Sequence, residues 1–144
     1  MKTVLCALAA GVVSFSALAQ ADLAASAAKQ PGAVVTASGL VYRSLKEGTG
    51  AIPAATDRVR VHYRGTLADG KEFDSSYARK EPAEFPLNRV IKCWTEGVQR
   101  MKVGGKAHLV CPPDIAYGAA GAGGVIPPNA TLQFEVELLG IAGK

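Results

Sequence analysis

The side chains that usually carry covalent, acid–base or metal chemistry are few and scattered in this chain. His62 and His108 are the only histidines, and each lies at the polar phase of an alternating segment, which is typical of an exposed side chain. No serine nucleophile motif, phosphate-binding loop or dinucleotide fingerprint occurs in the sequence. The histidines and cysteines also lack the spacing of a zinc site. We therefore expect no metal, no cofactor and no covalent catalysis.

The aromatic residues could instead bind an apolar group without making or breaking a bond. The chain has 4 Tyr, 4 Phe and 1 Trp. Taken one at a time, each is explained most simply as part of an ordinary hydrophobic core. Five of them lie on five different predicted elements: Tyr63, Phe73, Trp94, Tyr117 and Phe134.

Hydrophobic periodicity predicts the elements that would position these side chains. Alternation predicts strands over residues 59–64, 106–111 and 132–138. Residues 40–45 are also predicted to be a strand, and a further strand runs through Phe73 after the Asp69-Gly70 turn. Apolar residues at helical spacing predict one helix from Val90 to Met101. Residues 78–86 and 112–130 are predicted to be loops. The fold class is therefore α+β, with a five-stranded antiparallel sheet and one short helix that covers one of its faces.

Residues 1–19 have the three parts of a secretory signal peptide. Lys2 supplies the positive start, an apolar run follows, and Ala17-Leu18-Ala19 forms a small-residue cleavage site. Because Ser14 and Ser16 interrupt the run, it is too short for a spanning helix of about 20 apolar residues. We expect an exported protein, in the periplasm or secreted, with no membrane span.

The mature chain is predicted to be a tail followed by one domain. Residues 20–38 are rich in Ala, Ser and Gln and predict a flexible tail, whereas residues 39–144 form a single domain. The formal net charge is only +4, and the basic residues form no run, so the sequence indicates no nucleic-acid partner.

Export also predicts a Cys93–Cys111 disulfide. Removal of the signal peptide removes Cys6 and leaves two cysteines in an oxidising compartment. Cys111 shares strand parity with Leu109, so it should point toward the face that the helix covers, and Cys93 lies in that helix. Two buried free thiols are the alternative.

Six short segments together resemble the FKBP-type peptidyl-prolyl isomerases, and the resemblance covers about residues 39–142, with exported bacterial members the most similar. The segments follow the order and spacing of that family. They are Val61-His62-Tyr63-Arg64-Gly65-Thr66-Leu67 with Asp69-Gly70, Phe73-Asp74-Ser75-Ser76, Val90-Ile91 with Trp94 and Glu96-Gly97, Ala116-Tyr117-Gly118, Ile126-Pro127-Pro128-Asn129-Ala130-Thr131-Leu132, and Phe134 with Val136-Glu137-Leu138-Leu139.

The resemblance implies a non-covalent isomerase that rotates X–Pro bonds in proline-containing polypeptides and needs no cofactor. It implies an aromatic pocket with Trp94 as its floor, and Ile91 and Tyr117 as the groups that hold substrate carbonyls. The implied catalytic residues are Tyr63, Asp74, Trp94, Tyr117 and Phe134. The implied substrate-binding residues are Phe73, Val90, Ile91, Val125 and Ile126.

The resemblance leaves the biological role open. An FKBP-fold binding module or chaperone with little turnover, or a secreted virulence factor, are the alternatives to an isomerase that assists folding of exported proteins. Tacrolimus- or rapamycin-type macrolides are implied ligands, although Pro82-Ala83-Glu84 lacks an aromatic that strong drug binders often carry. Since only residues 20–38 precede the domain, we expect a monomer.

Overall fold

The computed structural model describes Leu23 and residues 25–142, and a single antiparallel sheet dominates this part of the chain. The strands lie in the order β1-β2-β6-β7-β3-β4, and β5 pairs with the first half of β3. The strands are β1 (Ala33–Val35), β2 (Val41–Lys46), β3 (Arg58–Leu67), β4 (Glu72–Ser75), β5 (Ala83–Pro86), β6 (Lys106–Cys111) and β7 (Leu132–Ile141). The α-helices between β4 and β6 are α1 (Ser76–Arg79) and α2 (Lys92–Val98). The predicted α+β class is confirmed.

The alternating pattern of the central strands explains why the sheet has one buried face. In β3, Val59, Val61 and Tyr63 are buried, and the residues between them are polar and more exposed. In β7, the residues from Leu132 to Leu138 alternate in the same way. Because successive strand side chains point to opposite faces, both strands contribute their apolar residues to one core.

Helix α2 packs on this buried face, close to β6. The helix buries Cys93, Trp94 and Val98, together with Gly97. A Cβ atom on Gly97 would lie 2.9 Å from Leu109 Cδ2, so the absence of a side chain lets the helix approach β6. The predicted disulfide is confirmed: Cys93 and Cys111 are bonded, with their Cα atoms 5.8 Å apart.

The predicted count of five strands is too low, because it omits two short strands. The strand β5 lies within residues 78–86 and is bounded by Pro82 and Pro86, which obscure a strand pattern. The three-residue strand β1 lies in the predicted tail and pairs with β2. The helix is also shorter than the predicted Val90–Met101, since Ile91 is its extended N-cap and Gln99 ends it.

The predicted signal peptide, residues 1–19, lies outside the described residues, as does part of the predicted tail. Within the described residues, no helix has both the length and the apolar character needed to cross a membrane.

Candidate active site

A cavity of about 450 Å³ opens between the buried face of the sheet and the start of α2. Its wall is mainly aromatic and aliphatic, with two charged side chains. The lining residues are Tyr63, Phe73, Asp74, Phe85, Arg89, Val90, Ile91, Trp94, Tyr117 and Phe134. A volume of this size is within the range of small-molecule sites and would accept one proline ring with its neighbours.

Trp94 is the centre of the aromatic wall. Its ring makes T-shaped contacts with Tyr63, Phe85 and Phe134, at centroid distances of 5.2, 5.5 and 5.4 Å. Edge-to-face pairs of this kind add about 0.5–1.5 kcal/mol each beyond the area they bury. The Trp94 side chain is only 4% exposed, and its buried indole Nε1 has no hydrogen-bond partner among the described residues. Trp94 therefore provides an apolar surface.

Gly65 allows two of the aromatic rings to meet. Phe73 and Phe134 form a T-shaped pair with centroids 5.6 Å apart. A Cβ atom on Gly65 would lie 2.6 Å from Phe73 Cζ and 2.9 Å from Phe134 Cε1, closer than carbon atoms can pack. Any side chain at residue 65 would therefore displace this part of the wall.

The only carboxylate of the cavity, that of Asp74, belongs to a hydrogen-bonded cluster at its edge. The Tyr63 hydroxyl donates a hydrogen bond to Asp74 Oδ2. The Arg79 guanidinium donates to Asp74 Oδ1 at 2.5 Å and to the Tyr63 hydroxyl at 3.0 Å. Both acceptor oxygens of the carboxylate are thus engaged, and the phenol bridges the two charges.

Helix α1 holds Arg79 in this cluster. The helix begins after Ser75, whose hydroxyl accepts the Ala78 N–H at 3.2 Å and acts as the N-cap. The fully buried Ser76 hydroxyl accepts the Tyr63 N–H at 2.7 Å, which ties the helix to β3. One turn later, Arg79 reaches back to the side chain of Tyr63.

The electrostatics of the cluster fix its protonation state near neutral pH. Burial would raise the pKa of Asp74, but the hydrogen bonds from Tyr63 and Arg79 outweigh it and hold that pKa below its ordinary value. Burial, and then the hydrogen bond to Asp74, raise the pKa of Tyr63. Asp74 is therefore ionised and Tyr63 protonated, and the cluster has no proton to exchange at neutral pH.

The rim of the cavity offers two groups that could bind a carbonyl. The carbonyl of Ile91 accepts hydrogen bonds from Trp94 and Thr95 in α2, while its N–H donates to no backbone carbonyl of the described residues. Tyr117 begins the 3₁₀ turn Gly118–Ala120, and its side chain is 41% exposed. Both lie where a bound peptide could reach them.

Eight of the ten residues expected in the site line this cavity, and two do not. The exceptions, Val125 and Ile126, lie in the loop before β7. Ile126 forms an isolated bridge with Ala122 and is buried in the core, 6% exposed, while Val125 is 51% exposed. The tight turn between the bridged residues therefore directs one side chain into the core and leaves the other in solvent.

Two further residues line the cavity that were not expected from the sequence, Phe85 and Arg89. Phe85 makes a T-shaped contact with Tyr63 at 5.9 Å in addition to its contact with Trp94. Its alternation with Ala83 across exposed Glu84 was the available signal. Arg89 ends the 3₁₀ turn Leu87–Arg89 and gave no periodic signal.

The two histidines are half-buried, which corrects the expectation that both are simply exposed. His62 stacks on Tyr77 with centroids 4.8 Å apart, and its Nδ1 lies 2.8 Å from Ser76 Oγ. Burial lowers the pKa of His108, on the sheet face opposite the cavity. Neither histidine lines the aromatic cavity. Within residues 25–142, no three His, Cys, Asp or Glu side chains are grouped so that they could hold a metal ion.

Comparison with known proteins identifies the same region as a recognised domain. Residues 50–139 match the family described as FKBP-type peptidyl-prolyl cis-trans isomerase. The chain is 59% identical over 114 residues to the FKBP-type 22 kDa peptidyl-prolyl cis-trans isomerase of Escherichia coli, covering 79% of this chain and 55% of the relative. It is also 59% identical over 117 residues to the isomerase FkpA of Aeromonas hydrophila, covering 81% of this chain and 43% of the relative.

A solved structure gives the same result for the fold. The crystal structure of FkpA from Escherichia coli superposes with a TM-score of 0.84 at 43% identity, covering 97% of this chain and 70% of that chain. The chain spans about half the length of the curated relatives that it matches.

Proposed function

The chain belongs to the FKBP-type peptidyl-prolyl cis-trans isomerase family, and we propose that it accelerates the cis–trans rotation of X–Pro bonds in polypeptides. The observation that carries the proposal is the aromatic cavity centred on Trp94, which can enclose a proline ring.

This reaction needs an apolar site more than it needs reactive groups. Amide resonance sets a rotation barrier of about 18–20 kcal/mol, and uncatalysed exchange takes tens to hundreds of seconds. In the twisted transition state the amide loses resonance and much of its charge separation. A dry aromatic cavity stabilises that less polar state relative to the planar ground state.

The proposal assigns roles to eight of the ten lining residues. Trp94 forms the floor against which the proline ring rests, and Tyr63, Phe73, Phe85 and Phe134 surround the ring. The Ile91 N–H and the Tyr117 hydroxyl bind the flanking carbonyls, so that the proline side is fixed while the preceding carbonyl rotates. The bonded carboxylate of Asp74 stabilises the rotating amide electrostatically, without a proton transfer. Val125 and Ile126 act through the loop before β7, as support for Tyr117.

We propose that the protein works after export, on other exported chains. The predicted signal peptide and the Cys93–Cys111 disulfide support this setting, because disulfides persist in oxidising compartments such as the periplasm. The expected monomer is tested by light scattering of the mature chain.

The proposed function is tested by exchange NMR on a tetrapeptide with one X–Pro bond. Addition of the mature protein should accelerate cis–trans exchange, and an excess of a tacrolimus- or rapamycin-type macrolide that occupies the cavity should abolish the acceleration. Binding of the peptide without faster exchange would instead support the alternative of a binding module or chaperone. If the protein neither binds the peptide nor accelerates its exchange, both the isomerase function and the binding-module alternative are overturned.

A further inference from the structure

Arg89 is the charged group of the aromatic cavity that the described chain leaves unpaired. Two charged side chains line the cavity, Asp74 and Arg89. Asp74 forms an ion pair with Arg79 at 2.5 Å. Arg89 is exposed and forms no ion pair with any of residues 25–142. Arg89 is therefore the charge of the cavity that no counter-charge of the described residues neutralises.

The acidic side chains that are closest to Arg89 in sequence have other partners. Glu84 pairs with Arg58 at 3.1 Å, on the far side of β5 from the cavity wall. Glu96 accepts a hydrogen bond from Ser38 at 2.5 Å. Neither carboxylate neutralises Arg89 from within the described chain.

The backbone at Arg89 is held in place, so its side chain starts from a fixed point on the rim of the cavity. Leu87, two residues earlier, is fully buried. Its N–H donates to the Asp57 carbonyl at 3.0 Å, and its carbonyl accepts the Thr95 hydroxyl at 2.6 Å. Val90, the residue after Arg89, lines the cavity as well.

A guanidinium at this place favours a carboxylate, to which it can donate two parallel hydrogen bonds. Resting on the proposed isomerase function, we propose that Arg89 is a specificity-determining residue that selects proline sites flanked by Asp or Glu. The substrate class is thus a polypeptide with an acidic residue directly before or directly after the proline.

The test uses two series of tetrapeptides, each with Glu, Gln or Lys at one varied position. In the first series that position directly precedes the proline, and in the second it directly follows the proline. We expect kcat/KM for Glu to exceed that for Gln by about two- to fivefold at low salt in at least one series, the range of an exposed ion pair. In that series kcat/KM should decrease in the order Glu, Gln, Lys, and the ratios between these values should approach one at high salt.

The variant Arg89→Gln should bring the Glu-to-Gln ratio near one, and Arg89→Glu should reverse the order. Because the ratio is the readout, any change in overall activity cancels. The matched control is Arg60→Gln, which removes the same charge from an exposed residue between Val59 and Val61, on the opposite face of β3. This control should retain the wild-type ratio.

Two results would overturn the assignment: a ratio near one in both series for the wild type at low salt, or a wild-type ratio in a folded Arg89→Gln variant. Either would leave the isomerase function standing, since the Gln peptides would still be turned over. If exchange is accelerated in none of the peptides, the proposed function and this inference are overturned together.

Discussion

The Tyr63 hydroxyl donates its hydrogen bond to the Asp74 carboxylate, and Arg79 binds both partners. Because the carboxylate is the acceptor, the pair stabilises the ionised form of Asp74 and the protonated form of Tyr63. The cluster therefore provides a fixed negative charge and a fixed phenol at the edge of the cavity, and not an acid–base pair.

The first prediction concerns pH. The pKa of Asp74 is lowered and that of Tyr63 is raised, so neither titrates between about pH 5 and pH 9. We expect kcat/KM for an uncharged proline peptide to be constant over this range, within about twofold. The measurement is exchange NMR at a series of pH values. A bell-shaped profile centred near neutrality would show that proton transfer contributes.

The variant Asp74→Asn should reduce kcat/KM by less than about tenfold, short of the ~10²–10⁴-fold effect of removing a general acid or base. Since the folded pKa is lowered, the ionised carboxylate also stabilises the fold above its unfolded pKa, and that contribution is lost as the pH falls through the folded pKa.

Denaturation of Asp74→Asn tests the predicted contribution of the ionised carboxylate to the unfolding free energy. The difference in unfolding free energy from wild type should be present at pH 6 and disappear in strong acid. Asp114→Asn, at an exposed residue, is the control and should change neither quantity. A difference that grows as the pH falls would contradict the assigned direction.

Gly65 and Gly140 form a matched pair of strand glycines. A Cβ atom at Gly65 would collide with Phe73 and Phe134, whereas nothing lies within 4 Å of one at Gly140. Gly65→Ala should cost about 1–3 kcal/mol of unfolding free energy and lower kcat/KM. Gly140→Ala should alter the unfolding free energy by less than about 0.5 kcal/mol. Equal effects of the two variants on activity would refute the role of Gly65.

The Cys93–Cys111 disulfide should stabilise the fold measurably. It closes a loop with a sequence separation of 18, which corresponds to about 3 kcal/mol in the chain-entropy account. The double variant Cys93→Ala with Cys111→Ala should therefore unfold at a lower denaturant concentration. A reductant should destabilise the wild type but not the variant. Identical midpoints for the wild type with and without reductant would rule out this contribution.

The sequence predicts best those elements whose residues follow a regular period. The long strands β3 and β7 alternate strictly, and their buried residues include Tyr63 and Phe134 of the cavity. The helical spacing around Trp94 likewise predicts α2 on the buried face. These positions depend on local pattern, which the sequence contains.

Features that depend on tertiary pairing could not be predicted from the periodicity of the sequence. The short strands β1 and β5 have too few residues to show a period, and their strand conformation comes from pairing with β2 and β3. Arg89 and the opposite orientations of Val125 and Ile126 follow from turn geometry. The resemblance implied Val125 and Ile126 as substrate-binding residues, and neither side chain lines the cavity.

The central claim is that an aromatic surface, and no reactive group, accelerates proline isomerisation. The most direct test is exchange NMR on an X–Pro peptide with wild type, Trp94→Leu and the control Tyr42→Leu, each checked for folding by circular dichroism. Tyr42 packs against the same core but does not line the cavity. We predict rapid exchange with wild type and Tyr42→Leu, and at least about a tenfold loss of kcat/KM, or ~1.4 kcal/mol of transition-state stabilisation, with folded Trp94→Leu. Wild-type activity in folded Trp94→Leu, or exchange with the wild type no faster than in buffer, would contradict the account.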